Sequence, residues 1–180
     1  MLVLLLYGAA LRIIEALHLT LTDVDLDARL LTIRESKFYK TRLVPMRPDP
    51  TGVLRSYVDQ RAKEYSPKPE AALFMTRNGI PLACSTAENI FRRLRVRAGV
   101  LRYDGSRYQP RLHDLRHAAA VHRLVSWYRE GADVQRLLPQ LATYLGHGHS
   151  AGTQRYLPMT PELLHEASTR FERYAQGGQQ

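Results

Sequence analysis

The 180-residue chain holds one cysteine, Cys84, and one tryptophan, Trp127. A single cysteine excludes an internal disulfide and a cysteine-based metal site, and it fits a reducing, cytoplasmic setting. Acidic residues are scarce beside basic ones: 17 Asp and Glu face 26 Lys and Arg, leaving a formal charge of +9. That balance favours a polyanionic partner, nucleic acid first and membrane surface second, with a merely soluble basic protein as the plainer alternative. Long apolar runs are missing too. The run over residues 1–11 stops at Arg12, with Glu15 close behind, well short of the roughly 20 residues a spanning helix needs. A secretory signal carries its basic residues before the apolar run, the reverse of this order. Repeats and low-complexity segments are absent. What is present is 44% hydrophobic residues, enough at this length to bury the core of a single domain.

Residues 2–19 are apolar on nearly every side apart from Arg12, Glu15 and His18, which predicts one buried helix. Arg12 within it reads either as an i,i+3 ion pair with Glu15 or as a planar guanidinium aimed at a phosphate. A turn-rich link with a short strand near 24–26 follows. The β-rich runs 30–33 and 41–45 predict a hairpin around residues 34–40. Lys37 and Lys40 then sit on or beside its tip, as solvated lysines or as a proton donor delivered to a docked substrate. Residues 50–65 read as an amphipathic helix with Val53, Leu54, Tyr57, Val58 and Arg61 along it, broken by Ser66-Pro67-Lys68-Pro69. An extended piece at 73–75 leads into an Asn78-Gly79 turn. Ser85 as N-cap with Glu88 at the third helical position forms a capping-box pattern. The helix it opens carries Ala87, Ile90, Phe91, Leu94 and Ala98 on one face, taken as core.

Between residues 92 and 111, seven arginines face one acid, Asp104. Charge runs are usually solvated faces, but this one is all arginine, interleaved with Tyr103 and Tyr108. Arg92, Arg93, Arg95, Arg97, Arg107 and Arg111, with Lys40, are therefore candidate contacts to a phosphate backbone. His113-Asp114-Leu115-Arg116-His117 opens a helix to about residue 128. Helical spacing puts His113, Arg116 and His117 on one face and Leu115, Ala118, Ala119 and Val125 on the other, inward. A metal site is disfavoured because no cysteine or carboxylate completes the set and Arg116 would repel the ion. Asp133 is a candidate N-cap for a short helix through 138, and Pro139 suits the first turn of another ending near 145. Residues 146–149 form a turn, and Ser150 or Thr153 starts a short helix carrying Tyr156, ended by Pro158. Thr160-Pro161-Glu162 opens a last helix to about 174, and 175–180 is a frayed tail. The cations and imidazoles that precede Tyr156 in the chain suit a phosphodiester attacked by a phenol nucleophile.

Taken together, Tyr7-Gly8-Ala9-Ala10-Leu11-Arg12-Ile13-Ile14-Glu15, Ser36-Lys37 with Arg42-Leu43-Val44-Pro45, His113-Asp114-Leu115-Arg116-His117, Leu145-Gly146-His147 and Thr153-Gln154-Arg155-Tyr156 resemble the catalytic domain of tyrosine recombinases, the phage-integrase family. Six positions match in order, Arg12, Lys37, His113, Arg116, His147 and Tyr156, and the resemblance covers almost the whole chain. It implies an α+β, mainly helical domain with a small antiparallel sheet or hairpin. It also implies breakage and rejoining of double-stranded DNA through a 3′-phosphotyrosyl link, as in integration or transposition of a mobile element. In that scheme Tyr156 attacks, Arg12 and Arg116 clamp the non-bridging oxygens, His147 adds a hydrogen bond, His113 acts as general base and Lys37 protonates the departing 5′-oxygen. No metal, other cofactor or membrane is implied. The resemblance implies a homo-tetramer on DNA, which residues 160–174 could hold, while in free solution a monomer is equally open.

Two departures stand out. The family usually reads Gly-Thr-Gly-Leu-Arg where this chain has Gly8-Ala9-Ala10-Leu11-Arg12, a change expected to be tolerated because Arg12 and Glu15 remain. Members also carry a core-binding domain ahead of this point, expected to be absent here. A catalytically impaired, DNA-binding remnant of an integrase is therefore the second reading, and topoisomerase-like relaxation the third.

Overall fold

The apolar N-terminal run does not stay one helix. In the computed structural model, α1 covers Leu2–Gly8 and α2 covers Ile13–Leu17. Between them Ala10 adopts φ 49°, a left-handed conformation that cannot continue a right-handed helix. Arg12 is extended and caps α2, and its amide donates to the Glu15 carboxylate at 2.9 Å. The break re-aims the second segment, so burial is one-sided: Leu5, Leu6, Leu11, Ala16 and Leu17 are buried while Val3, Tyr7 and Ile14 are exposed. Ala10 stands where the resemblance expects glycine. A left-handed L-residue costs about 1–2 kcal/mol, of which glycine's greater freedom in the unfolded chain returns about 0.4–1. Ala10→Gly is thus expected to raise the melting temperature by roughly 1–4 °C in calorimetry. A fall would mean that the backbone there is unstrained.

The described residues are 1–36, 40–65, 68–146, 164–166 and 168–169. Lys37, His147, Tyr156, the Ser150 or Thr153 helix start, the Thr160 cap and the 175–180 tail lie outside them, as does the side chain of Lys40. The architecture is mainly helical with one three-stranded antiparallel sheet. Two compact units divide the chain, residues 1–116 and 117–180.

In the first unit, a 3-10 turn at Leu21–Asp23 leads into β1, Val24–Asp25, followed by β2, Leu30–Ser36, and β3, Lys40–Pro45, in the order β1-β2-β3. The predicted hairpin is present, with Leu31 opposite Val44 and Ile33 opposite Arg42, and an irregularity between Ile33 and Ser36. Directly opposed residues share a sheet face. Leu31, Ile33 and Val44 are buried, so Arg42 projects on the core side.

Next, α3 spans Pro48–Glu64, opening two residues earlier than expected because Pro48 suits the first helical position. Of the residues expected along it, Leu54 and Arg61 are buried, whereas Val53 is exposed. The Arg61 guanidinium donates to the Ala72 carbonyl at 2.7 Å, and the Tyr57 hydroxyl to that of Leu73 at 3.2 Å. These bonds hold the 72–74 segment against α3. Gly79 takes φ 71° in the expected Asn78-Gly79 turn.

The capping box at Ser85 is not formed. α4 spans Cys84–Arg97 with Ala83 as its N-cap. The Leu82 amide bonds the Phe74 carbonyl at 3.0 Å, which pins the entry and leaves Ser85 inside the first turn. Glu88 instead accepts from the Cys84 thiol at 3.8 Å. The expected core face is also narrower: Ala87 is buried and Phe91 half-buried, but Ile90, Leu94 and Ala98 are exposed. Apolar spacing made these residues neighbours on the helix; nothing in the sequence said how wide a stripe other elements cover.

α5 spans Leu112–Arg129. Its buried stripe is Leu112, Arg116, Ala120, Val121, Leu124 and Val125. Leu115, Ala118 and Ala119, expected inward, are half-buried. Taking charge as outward-facing rotates the helix wrongly, because Arg116 finds polar partners inside.

In the second unit a single α6, Val134–Leu145, replaces the two helices expected there, with Pro139 inside it. Asp133 caps it as expected, accepting from the Arg136 amide at 3.1 Å, and Gly146 ends it at φ 65°. Val134, Leu138, Leu141, Ala142 and Leu145 are buried on both sides of the proline. That continuous stripe offsets the roughly 3 kcal/mol an interior proline costs. Residues 164–166 and 168–169 are helical, inside the last helix expected. No helix among the described residues is long and apolar enough to cross a membrane.

Candidate active site

The site is organised by one carboxylate. Glu15 lies in the first turn of α2, and its side chain is 8% exposed. A buried carboxylate is costly unless paired, and here three arginines from distant points of the chain surround it. The Arg12 Nη1 donates to Oε1 at 2.6 Å. Arg42, from β3, donates through both Nη atoms, at 3.0 Å to Oε1 and 2.9 Å to Oε2. Arg116, near the start of α5, has its Nη1 3.8 Å from Oε2. Burial alone would raise the Glu15 pKa. The hydrogen bonds and charge of Arg42, with the hydrogen bonds of the Arg12 amide and side chain, outweigh it and hold the group down at about 2, so it stays ionised at neutral pH.

Arg116 is 1% exposed, and its Nη1 donates to the Ala10 carbonyl at 2.6 Å. The helix break is therefore functional in geometry: it turns a carbonyl that a continuous helix would have consumed toward the guanidinium. Arg12 remains 29% exposed and so reaches the surface. The ion-pair reading of Arg12 is correct, and the side chain's partial exposure keeps the phosphate reading compatible with it.

His113, in the first turn of α5, lines a cavity of about 500 Å³ together with Ile13, Glu88, Asn89, Phe91, Arg92, Arg95 and Arg111. The cavity walls partly desolvate the exposed imidazole, and the positive charges of Arg116, Arg111 and Arg12 outweigh Asp114. Together they hold its pKa below the usual histidine value. A neutral imidazole beside the arginine cluster is therefore the favoured state at neutral pH.

The arginine-rich segment divides by role. Arg92, Arg93, Arg97, Arg107 and Arg111 are exposed. Arg107 and Arg111 lie over the Tyr108 ring at 5.1 and 5.2 Å, a stacked pair that stiffens two long side chains. Arg95 is half-buried and donates to the Pro110 carbonyl at 2.6 Å, so part of its fork supports the loop that leads into α5. Arg102 pairs with Asp104 at 2.8 Å.

Of the six expected catalytic residues, the fold brings Arg12, His113 and Arg116 together; Lys37, His147 and Tyr156 lie outside the described residues. Arg42 contacts the site but is not among the six expected residues. Its sequence signal is only its place within the Arg42-Leu43-Val44-Pro45 motif, which assigns it no role; its position opposite Ile33 on the core side of the sheet comes from the fold. Among the described residues no group of His, Cys, Asp and Glu is arranged to hold a metal ion. Three guanidiniums around a single carboxylate leave a net positive site beside a neutral base, an arrangement matched to negative charge growing on phosphoryl oxygens.

Comparison with known proteins gives the family. A model of the phage integrase family matches residues 1–162. The putative integrase/recombinase y4rB of Sinorhizobium fredii is 45% identical over 170 residues, covering 94% of this chain and 54% of that protein. The tyrosine recombinase XerA of Thermococcus kodakarensis is 34% identical over 172 residues, covering 94% and 54%. The chain thus spans about half the length of the curated relatives it matches. A crystal structure of XerA recombinase superposes with a TM-score of 0.72 at 28% identity, covering 93% of this chain and 55% of that one. The Tn1549 transposon integrase in complex with circular intermediate DNA shares the fold, with a TM-score of 0.69 at 20% identity over 96% of this chain and 58% of that one. The match over most of its length, with the arginine pair and histidine in place, makes this chain a member of the phage integrase family.

Proposed function

We propose that the protein breaks and rejoins double-stranded DNA site-specifically through a 3′-phosphotyrosyl intermediate. The observation that carries this is the convergence of Arg12 with His113 and Arg116, about a hundred positions further along the chain, on one positively charged site. As the phosphodiester becomes pentacovalent, its non-bridging oxygens gain charge, and preorganised guanidiniums stabilise that charge most. Arg12 and Arg116 take this role, with His147 adding a donor. His113, neutral near physiological pH, accepts the phenol proton as Tyr156 attacks phosphorus in line. The P–O bond to the 5′-oxygen breaks, Lys37 supplies its proton, and the bond energy is kept in the tyrosyl ester, so a later 5′-hydroxyl attack needs no ATP. Arg92, Arg93, Arg97, Arg107 and Arg111, with Lys40, hold the backbone on either side. Relatives that include a transposon integrase solved on DNA support this partner. Assembly as a tetramer through residues 160–174 belongs to the same reading.

A nicked suicide duplex that loses a short 5′-hydroxyl fragment tests the proposal. Wild-type protein is expected to accumulate a covalent adduct on denaturing gels in EDTA as well as in magnesium. Because His113 is held below the ordinary value of 6.5, the base stays neutral to lower pH, and the rate should fall only beneath pH 6.5. DNA binding without any adduct would return the remnant reading. An acid limb at or above 6.5 would remove His113 as the base.

A further inference from the structure

We infer that Arg42 is a positioning residue: from β3 it occupies both oxygens of Glu15 and so keeps Arg12 and Arg116 directed at substrate. The inference rests on the proposed DNA-breaking reaction. Four observations carry it. First, Arg42 lies opposite Ile33 on the core side of the sheet, a place where a charged side chain is otherwise unfavourable. Second, its side chain is 12% exposed and that of Glu15 8%, so the two charges are withdrawn from water together. Third, both Nη atoms engage Glu15, at 3.0 and 2.9 Å, while the Nε is buried with no hydrogen-bond partner. Leaving a buried donor unmet is costly, so the side chain is aimed at the carboxylate rather than at satisfying itself. Fourth, Glu15 also bonds Arg12 at 2.6 Å and lies 3.8 Å from Arg116. It is therefore a competitor for the two guanidiniums proposed to face the phosphate.

The consequence follows from acceptor capacity. A carboxylate offers about four lone-pair positions, and the bidentate Arg42 fork takes one on each oxygen. With Arg42 removed, those positions draw Arg12 and Arg116 inward, and each new bond to Glu15 opposes a bond to the phosphoryl oxygens. β3 begins a few residues after Lys37 in the chain, so the same bidentate contact ties the strand after the proposed proton donor to the arginine pair.

The test uses the full chain and the nicked suicide duplex under single-turnover conditions, at a temperature below the melting point of every variant. Arg42→Gln is expected to slow cleavage at saturating DNA by roughly 10- to 100-fold, the scale of a small misplacement of a catalytic group. The dissociation constant for DNA and its salt dependence should stay as in the wild type. Arg42→Lys should recover only part of the rate, because an ammonium cannot hold both oxygens in a planar fork. In a Glu15→Gln background, Arg42→Gln should cost much less than it does alone, since the competitor is already discharged. Cleavage by Arg42→Gln at the wild-type rate would overturn the inference. So would weaker, less salt-dependent binding with an unchanged saturating rate, which would make Arg42 a phosphate contact. An equal loss in both backgrounds would overturn it too, by severing Arg42 from Glu15. No adduct from the wild type would instead strike the proposed reaction itself, and this inference with it.

Discussion

Tyr156→Phe is expected to give no covalent protein–DNA adduct while binding duplex DNA as the wild type does. The substitution removes one oxygen and leaves the ring. Binding is proposed to rest on arginines spread over residues 92–111, so affinity has little reason to change. Chemistry has every reason to change. The phenol oxygen is the atom that would bond phosphorus in line with the departing 5′-oxygen. Loss should be complete rather than partial, because general acid–base and electrostatic contributions act only on a nucleophile that is present. The measurement is adduct on denaturing gels beside a binding titration on the same duplex. An adduct in the variant would assign the nucleophile elsewhere among the ten tyrosines.

Arg116→Ala is expected to lower the cleavage rate by at least about 10²-fold, the effect of losing one preorganised donor to a developing oxyanion. The guanidinium is fixed by the Ala10 carbonyl at 2.6 Å and by its place 3.8 Å from Glu15. Little reorganisation is therefore needed at the transition state. Removing it also touches stability. The Ala10 carbonyl loses its donor, at a cost of about 1–3 kcal/mol, whereas Glu15 keeps Arg12 and Arg42 and is not left an unpaired buried charge. Rates must accordingly be compared well below the variant's melting temperature. Arg116→Lys separates the two effects: it retains the charge but loses the planar fork, so stability should largely return and the rate only in part. A rate within a few fold of the wild type in folded Arg116→Ala would make Arg116 structural.

These two residues also mark how differently the sequence and the fold inform. The family resemblance, the charge excess of 92–111, the hairpin of β2 and β3, the Asp133 cap and the Asn78-Gly79 turn were legible because each is local or one-dimensional. Spacing, charge and turn chemistry act between near neighbours and can be counted along the chain. The rotation of α5 was not, because an arginine reads as outward-facing until its buried partners are known. Nor was the one-helix course of α6 through Pro139, where long-range burial outweighs a local breaker.

By itself, then, the sequence determined the family and, with it, the proposed chemistry: basic residues, imidazoles and a tyrosine in an order suited to a phosphodiester. Only the tertiary structure decided that Ala10 takes a left-handed turn where glycine was expected. That turn breaks the N-terminal helix and presents a carbonyl to Arg116. Only it decided, too, that Glu15 gathers Arg12, Arg42 and Arg116. The reason is physical. A buried carboxylate must be neutralised by whatever cations the fold brings within a few ångströms, and that distance is set by packing across the chain, not by separation along it.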